Sequence, residues 1–144
     1  MTFKKSDWDE MCRRLLDARE WLSQVRDDAS ERRLLANAIW ALWTFGEYAV
    51  NVLLELEGRD PDQSHGHDRI AQELFASGLL GKDYSAVLAQ LGRYRLKAFY
   101  KGYSKERSVH FSPRNVEDCL VAMESLKDEV LALLRARKRI SDDS

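Results

Sequence analysis

The strongest candidate for chemistry is an arginine that the helical repeat places among apolar side chains. One predicted helix face consists of six residues at three- and four-residue steps: Tyr84, Val87, Leu88, Leu91, Arg95 and Ala98. A guanidinium on such a face needs a carboxylate, backbone carbonyls or an anionic ligand. The sequence leaves two alternatives open. Arg95 forms an internal ion pair, with Glu47 as a candidate partner, or it lines a phosphate-binding cleft within one chain or between two copies.

Arg95 belongs to a basic segment, residues 93–114. This segment carries seven Lys or Arg and one acid, a net charge of +6, so the remainder carries −7 within a total of −1. The candidate binding residues are Arg93, Arg95, Lys97, Lys101, Tyr103, Lys105 and Arg107. Cations that contact phosphates, interleaved with rings on which bases stack, are typical of single-stranded RNA binding. A solvated basic helix face is the alternative interpretation.

Proton transfer near neutral pH points to histidine, and His110 lies inside the basic segment. Together with Arg95 as a clamp on the transition-state phosphate, it could serve a metal-independent ribonuclease. An ordinary loop histidine is the other interpretation. His65 and His67 open a predicted helix, and we expect them to cap or orient it. Because "HGHD" lacks a second ligand cluster, we predict no metal site and no cofactor.

Composition predicts one all-α domain. The chain has 144 residues, of which 44% are apolar, and only seven Gly and two Pro interrupt it. We predict a single domain over 1–144, with a core over about 6–138 and a flexible tail at 139–144. Cys12 and Cys119 lack metal or redox spacing and are expected to be buried thiols in a reducing cytoplasm. No apolar run is long enough to cross a bilayer, so we expect no membrane association.

Periodicity predicts an up-and-down bundle of four to five helices. Their expected positions are a start at Ser6, a span from near Ser30 to Gly58, a span from His67 to Phe75, a start near Asp83, and a start capped by Ser112 with Pro113 in the first turn. The second helix is apolar around most of its circumference, with Trp40 and Trp43 expected in the core or in a dimer interface. Between residues 34 and 56 its main polar residues form one stripe: Asn37, Thr44, Glu47, Asn51 and Glu55.

Four segments, in order, resemble HEPN domains over roughly residues 30–135. "FGEYAVNVLLELEG" (45–58) resembles their central helix, and "SHGHDRIAQEL" (64–74) resembles the opening of their third helix. "LGRYRLKAFY" (91–100) resembles the segment that holds their arginine motif, and "FSPRNVEDCLVAMESL" (111–126) resembles their last helix. HEPN domains are helical bundles, commonly homodimers, and many are encoded beside a small nucleotidyltransferase in toxin–antitoxin or defence modules.

The resemblance also sets an expectation about activity. Active HEPN domains are metal-independent ribonucleases with an Arg-x4–6-His motif that meets its copy across the dimer. Arg95 matches the arginine, whereas Tyr100 stands where histidine is expected, and Asn51 stands where a lysine is often found. Because a tyrosine with a pKa of about 10 is a poor proton shuttle at neutral pH, we expect a binding module for RNA, a nucleotide or a partner nucleotidyltransferase. The alternatives are an endoribonuclease toxin that uses Arg95 with Tyr100 or His110, and a dimerisation scaffold.

Overall fold

The computed structural model describes residues 2–26, 31–60, 66–99 and 112–142, without the side chains of 31–32 and 97–99. Within this part the chain forms five α-helices and one pair of two-residue strands. In order these are β1 (Phe3–Lys4), α1 (Lys5–Ser23), α2 (Glu31–Leu56), α3 (His67–Ala76), α4 (Ser85–Phe99), α5 (Pro113–Ala136) and β2 (Ile140–Ser141). The all-α prediction is confirmed. The up-and-down order stays a prediction.

Helix α2 lies at the centre, as its apolar circumference predicts. It packs against α1, α3, α4 and α5. Several helices contribute large side chains that are fully buried, among them Trp8, Ile39, Leu42, Phe45, Leu53, Leu54, Leu91, Leu120, Met123, Leu126 and Leu134. Trp8 of α1 contacts the Phe45 ring edge-on, with 6.3 Å between ring centroids. Burial of these apolar side chains is the main force that holds the helices together.

Local signals set most helix ends close to their predicted positions. Gly58, just after α2, has a φ of 69°, a conformation that glycine adopts without strain, and Arg59 N donates to Leu54 O at 2.8 Å. Asp83 accepts a hydrogen bond from the Ser85 backbone N–H at the start of α4. Ser112 Oγ accepts from Asn115 N at 3.2 Å, directly before Pro113. The predicted cap of α5 is therefore confirmed.

The two ends of the described chain differ from expectation. Helix α1 begins at Lys5 rather than after a Ser6 cap, and its N-cap residue, Lys4, makes no side-chain capping bond. Lys4 belongs to β1, which pairs in parallel with β2 in the register Phe3 with Ile140. Part of the segment expected to be a flexible tail, residues 139–142, is thus ordered. Because a two-residue strand is too short to show a periodic pattern, this pairing could not be predicted from the sequence.

The α3–α4 connection is fastened to α5 by one carboxylate. Glu129 accepts hydrogen bonds from the Gly81 backbone N–H at 2.5 Å and from the Tyr84 hydroxyl. Ser125, one turn earlier, bonds the same hydroxyl at 2.9 Å. These bonds hold the start of α4 at a set position over α5. In the part of the chain that is described, no helix is long and apolar enough to span a membrane.

The Ser112 cap yields a test of stability. Replacing Ser112 with Ala removes the acceptor for the Asn115 N–H, and we expect a loss of about 1 kcal/mol in the free energy of unfolding. Urea unfolding followed by circular dichroism measures it. Ser23→Ala, at the exposed C-terminal end of α1, is the control and should change stability by less than about 0.5 kcal/mol. Equal losses in both variants would show that the cap has no special role.

Candidate functional site

Arg95 is held by an aromatic ring and not by a carboxylate. Its guanidinium lies over the ring of Trp43 in α2, with 4.1 Å between the Cζ atom and the ring centroid. Its Nε is buried and has no hydrogen-bond partner. The ion pair with Glu47 is not formed, although both side chains belong to the described part of the chain. A cation over an indole face is a favourable contact that uses none of the guanidinium's N–H donors.

The polar stripe of α2 meets the start of α3. His67 Nε2 donates a hydrogen bond to Asn51 Oδ1 at 3.2 Å. Gly66 precedes His67 with a φ of 96°, a left-handed conformation that turns the chain into α3. His67 therefore orients the start of its helix, as expected. One α2 turn from Asn51, Glu47 Oε2 is buried without a hydrogen-bond partner.

The environment of His67 favours its neutral form. Burial lowers the pKa of His67 below its ordinary 6.5, and the negative charges of Glu47 and Asp68 offset part of this effect. With Nε2–H donating to Asn51, the neutral ring carries its lone pair on Nδ1. An imidazole in this state can accept a proton or a hydrogen bond near neutral pH.

These groups line one cleft between α2, α4 and the start of α3, here called the Arg95 cleft. Its volume is about 430 Å³, within the range of small-molecule sites. Its polar and aromatic lining consists of Trp43, Glu47, His67, Asp68, Arg93 and Arg95. The cleft therefore combines two cations, two carboxylates, an imidazole and an indole.

A second cleft, of about 640 Å³, is larger, but its charged residues are less available to a ligand. Its charged lining residues are mostly paired with one another. Arg59 Nη1 lies 3.2 Å from Glu73 Oε2, and Arg137 Nη2 lies 3.5 Å from Glu57 Oε1. Arg137 also donates to the Leu56 carbonyl at 3.2 Å. Because these pairs already satisfy one another, we place the candidate site at the Arg95 cleft.

An exposed apolar surface adjoins the Arg95 cleft. Trp40 stacks on Trp43 with 6.0 Å between ring centroids and an interplanar angle of 27°. Trp40 is 47% exposed, and Leu96, which lines the cleft, is 50% exposed. Trp40 was expected in the core or in a dimer interface, and within a single chain it is not in the core.

The predicted site residues divide into two groups. Three of them, Arg93, Arg95 and Glu47, line the cleft. Asn51 does not line it but is hydrogen-bonded to His67, which does. The other predicted site residues lie outside the described part: the side chain of Lys97, and Tyr100, Lys101, Tyr103, Lys105, Arg107 and His110. Sequence analysis missed Trp43, His67 and Asp68 as cleft residues. A signal existed for Trp43, because it precedes Glu47 by four residues and so shares its helix face.

Among the described residues, no three His, Cys, Asp or Glu side chains come close enough to hold a metal ion. Cys119 is buried and Cys12 is half-buried, and both are free thiols outside the cleft lining. Burial raises the pKa of each to about 11, so neither thiol ionises readily at neutral pH.

Comparisons with known proteins leave the HEPN resemblance resting on the sequence motifs alone. No family model, curated protein or solved structure matches the chain.

The burial of His67 predicts its titration. We expect a midpoint below 6.5 when the ring resonances are followed by NMR, and a lower midpoint still in Glu47→Gln, which removes a charge that favours the imidazolium. Since folding lowers this pKa, the unfolded state takes up the proton first as pH falls. His67 should therefore reduce stability as pH drops below about 6.5. A midpoint of 6.5 or higher in the folded protein would contradict the described environment.

Proposed function

We propose that this chain is a HEPN-like homodimeric binding module that takes a phosphate-bearing ligand, a nucleotide or RNA, in the Arg95 cleft. The observation that most strongly supports this proposal is the set of contacts that Arg95 makes. Its guanidinium lies over the ring of Trp43, and its Nε is buried without a hydrogen-bond partner. A planar cation held in place with unused donors matches the oxygens of a phosphate, to which arginine binds in a bidentate manner.

The surroundings of Arg95 support the same ligand class. Arg93 lines the cleft as a second cation, and it begins the basic segment that continues to residue 114. Trp43 and Trp40 supply aromatic faces next to these cations, and bases stack on such faces at little cost in sequence selectivity. A nucleotide offers both the anion and the ring that this lining suits.

The exposed apolar surface beside the cleft supports a second copy of the chain as its partner. Trp40 and Leu96 are each about half exposed and adjoin the cleft. The HEPN resemblance implies a homodimer in which the arginine motifs of the two copies meet. A dimer formed through Trp40 brings two Arg95 clefts near one another. A partner nucleotidyltransferase is the other occupant that the resemblance suggests.

A metal-independent endoribonuclease is the second candidate, and one observation favours it. His67, with a lowered pKa, lines the same cleft as Arg95. A neutral imidazole beside an arginine can remove a proton from a ribose hydroxyl while the cation stabilises the phosphate charge. His67 would then have the proton-transfer role that the sequence suggested for His110 or Tyr100.

The ligand proposal predicts a specific loss of affinity. Arg95→Gln should weaken binding of a short single-stranded RNA and of a nucleoside monophosphate about 10-fold or more, because charge-assisted hydrogen bonds to phosphate are removed. Isothermal titration calorimetry at low and at moderate salt measures this. Arg13→Gln, an exposed arginine on α1, is the matched control and should leave both affinities unchanged.

The same samples separate the two candidate functions. RNA incubated in EDTA is analysed on a denaturing gel. Intact RNA, with binding that depends on Arg95, supports the binding module. Cleavage that disappears in Arg95→Gln and in His67→Gln would replace it with the endoribonuclease. Affinities equal in wild type and Arg95→Gln, with no cleavage, would refute both candidates.

The dimer proposal has its own test. Trp40→Glu should shift the mass measured by light scattering from twice the 16.7 kDa of one chain to a single chain, because a buried carboxylate opposes association. Phe75→Glu is the control, since Phe75 is a 42% exposed aromatic residue on α3 away from the cleft lining. A wild-type mass of one chain at micromolar concentration would refute the homodimer.

A further inference from the structure

Glu47 places an acceptor in a cleft that is otherwise suited to an anion. Its Oε2 is buried and accepts no hydrogen bond, although burying a polar atom without a partner is costly. A phosphate alone would leave this atom unpaired and would be repelled by its charge. The lining therefore suits a ligand with two different ends: an anion for Arg95, and N–H or O–H donors for Glu47.

Glu47 and Arg95 line the cleft from different helices, α2 and α4. Trp43 precedes Glu47 by one helical turn and lies under the Arg95 guanidinium. The structure thus presents donors at Arg95, an acceptor at Glu47 and an aromatic face beside them. His67 and Asp68 close the side formed by the start of α3. In a nucleotide, phosphate and base edge are likewise separate groups joined by a sugar.

The bases differ in how well they match a carboxylate. Guanine presents N1–H and the N2 amino group side by side, two parallel donors for the two oxygens of a carboxylate. Adenine and cytosine each place a ring nitrogen acceptor beside their amino group, and that acceptor meets a carboxylate lone pair. Uracil has one N–H between two carbonyl oxygens. Guanine is therefore the base whose edge satisfies a carboxylate most fully.

We propose that the Arg95 cleft selects guanine nucleotides, with Glu47 as the specificity-determining residue that accepts from N1–H and the N2 amino group. This inference rests on the proposed nucleotide-binding function and adds the base to it. Arg95 holds the phosphate and Glu47 reads the base. A site built to hydrogen-bond a polar group discriminates strongly against the analogue that lacks the group, because its own buried atom then stays unpaired.

The test compares GMP with IMP, which lacks only the N2 amino group. Calorimetry on the full chain should give GMP an affinity roughly 5- to 150-fold higher than that of IMP, the range for a good bidentate base contact. AMP should bind no better than IMP. Inorganic phosphate, the probe for Arg95 alone, should bind weakly.

Glu47→Gln should bring GMP down to the affinity of IMP while phosphate binding stays equal or improves, since a negative charge has been removed. Glu55→Gln, two turns further along the same stripe of α2, is the matched control and should keep the preference for GMP. Circular dichroism checks that each variant is folded. If Glu47→Gln does not fold, the ratio of the wild-type affinities for GMP and IMP decides whether the cleft selects guanine.

The outcomes separate this inference from the function on which it rests. Equal affinities for GMP, IMP and AMP, all lowered by Arg95→Gln, would overturn guanine selection and leave nucleotide binding standing. A preference for GMP that persists in a folded Glu47→Gln variant would refute the role of Glu47. No binding of any nucleotide or of phosphate would refute the proposed function itself.

Discussion

Helix α2 is apolar around most of its circumference, so other helices must cover it on nearly every side. Helices α1, α4 and α5 pack along it, and Trp8, Leu91 and Met123 are among the side chains that they bury against it. Two polar residues of α2, Glu47 and Asn51, face the cleft beside α4 and the start of α3. The candidate site thus lies where the apolar cover of the central helix stops.

Polar groups that are buried at the edge of the apolar core lower the stability of the fold unless they form hydrogen bonds. Asn51 forms one with His67, which ties α2 to the start of α3. Thr44 Oγ1, Glu47 Oε2 and Arg95 Nε are buried in the described part of the chain without one. Atoms of this kind reduce stability, and proteins commonly retain them where a ligand completes the set of hydrogen bonds. Two of these atoms, from Glu47 and Arg95, belong to side chains that line the cleft, and a nucleotide would supply partners for both.

The contact between Arg95 and Trp43 explains how a cation lies on an apolar helix face without an ion pair. The indole face attracts the guanidinium with an energy on the order of 1–2 kcal/mol when the pair is shielded from water. An ion pair would have neutralised the arginine and used its donors. The aromatic contact instead holds the group over the indole face and leaves its charge unpaired. The cleft therefore has a cationic side at Arg93 and Arg95 and an anionic side at Glu47 and Asp68.

The sequence by itself determined the helices, the central position of α2 and the cap at Ser112, because these depend on local periodicity and on residues a few positions apart. It also identified Arg95 as a polar residue on an apolar face. The tertiary structure decided that Trp43 and not Glu47 contacts Arg95, that His67 bonds Asn51, and that β2 pairs with β1. These contacts join residues far apart in sequence. They depend on the crossing angles and axial offsets of the packed helices, which the pattern within one helix does not specify.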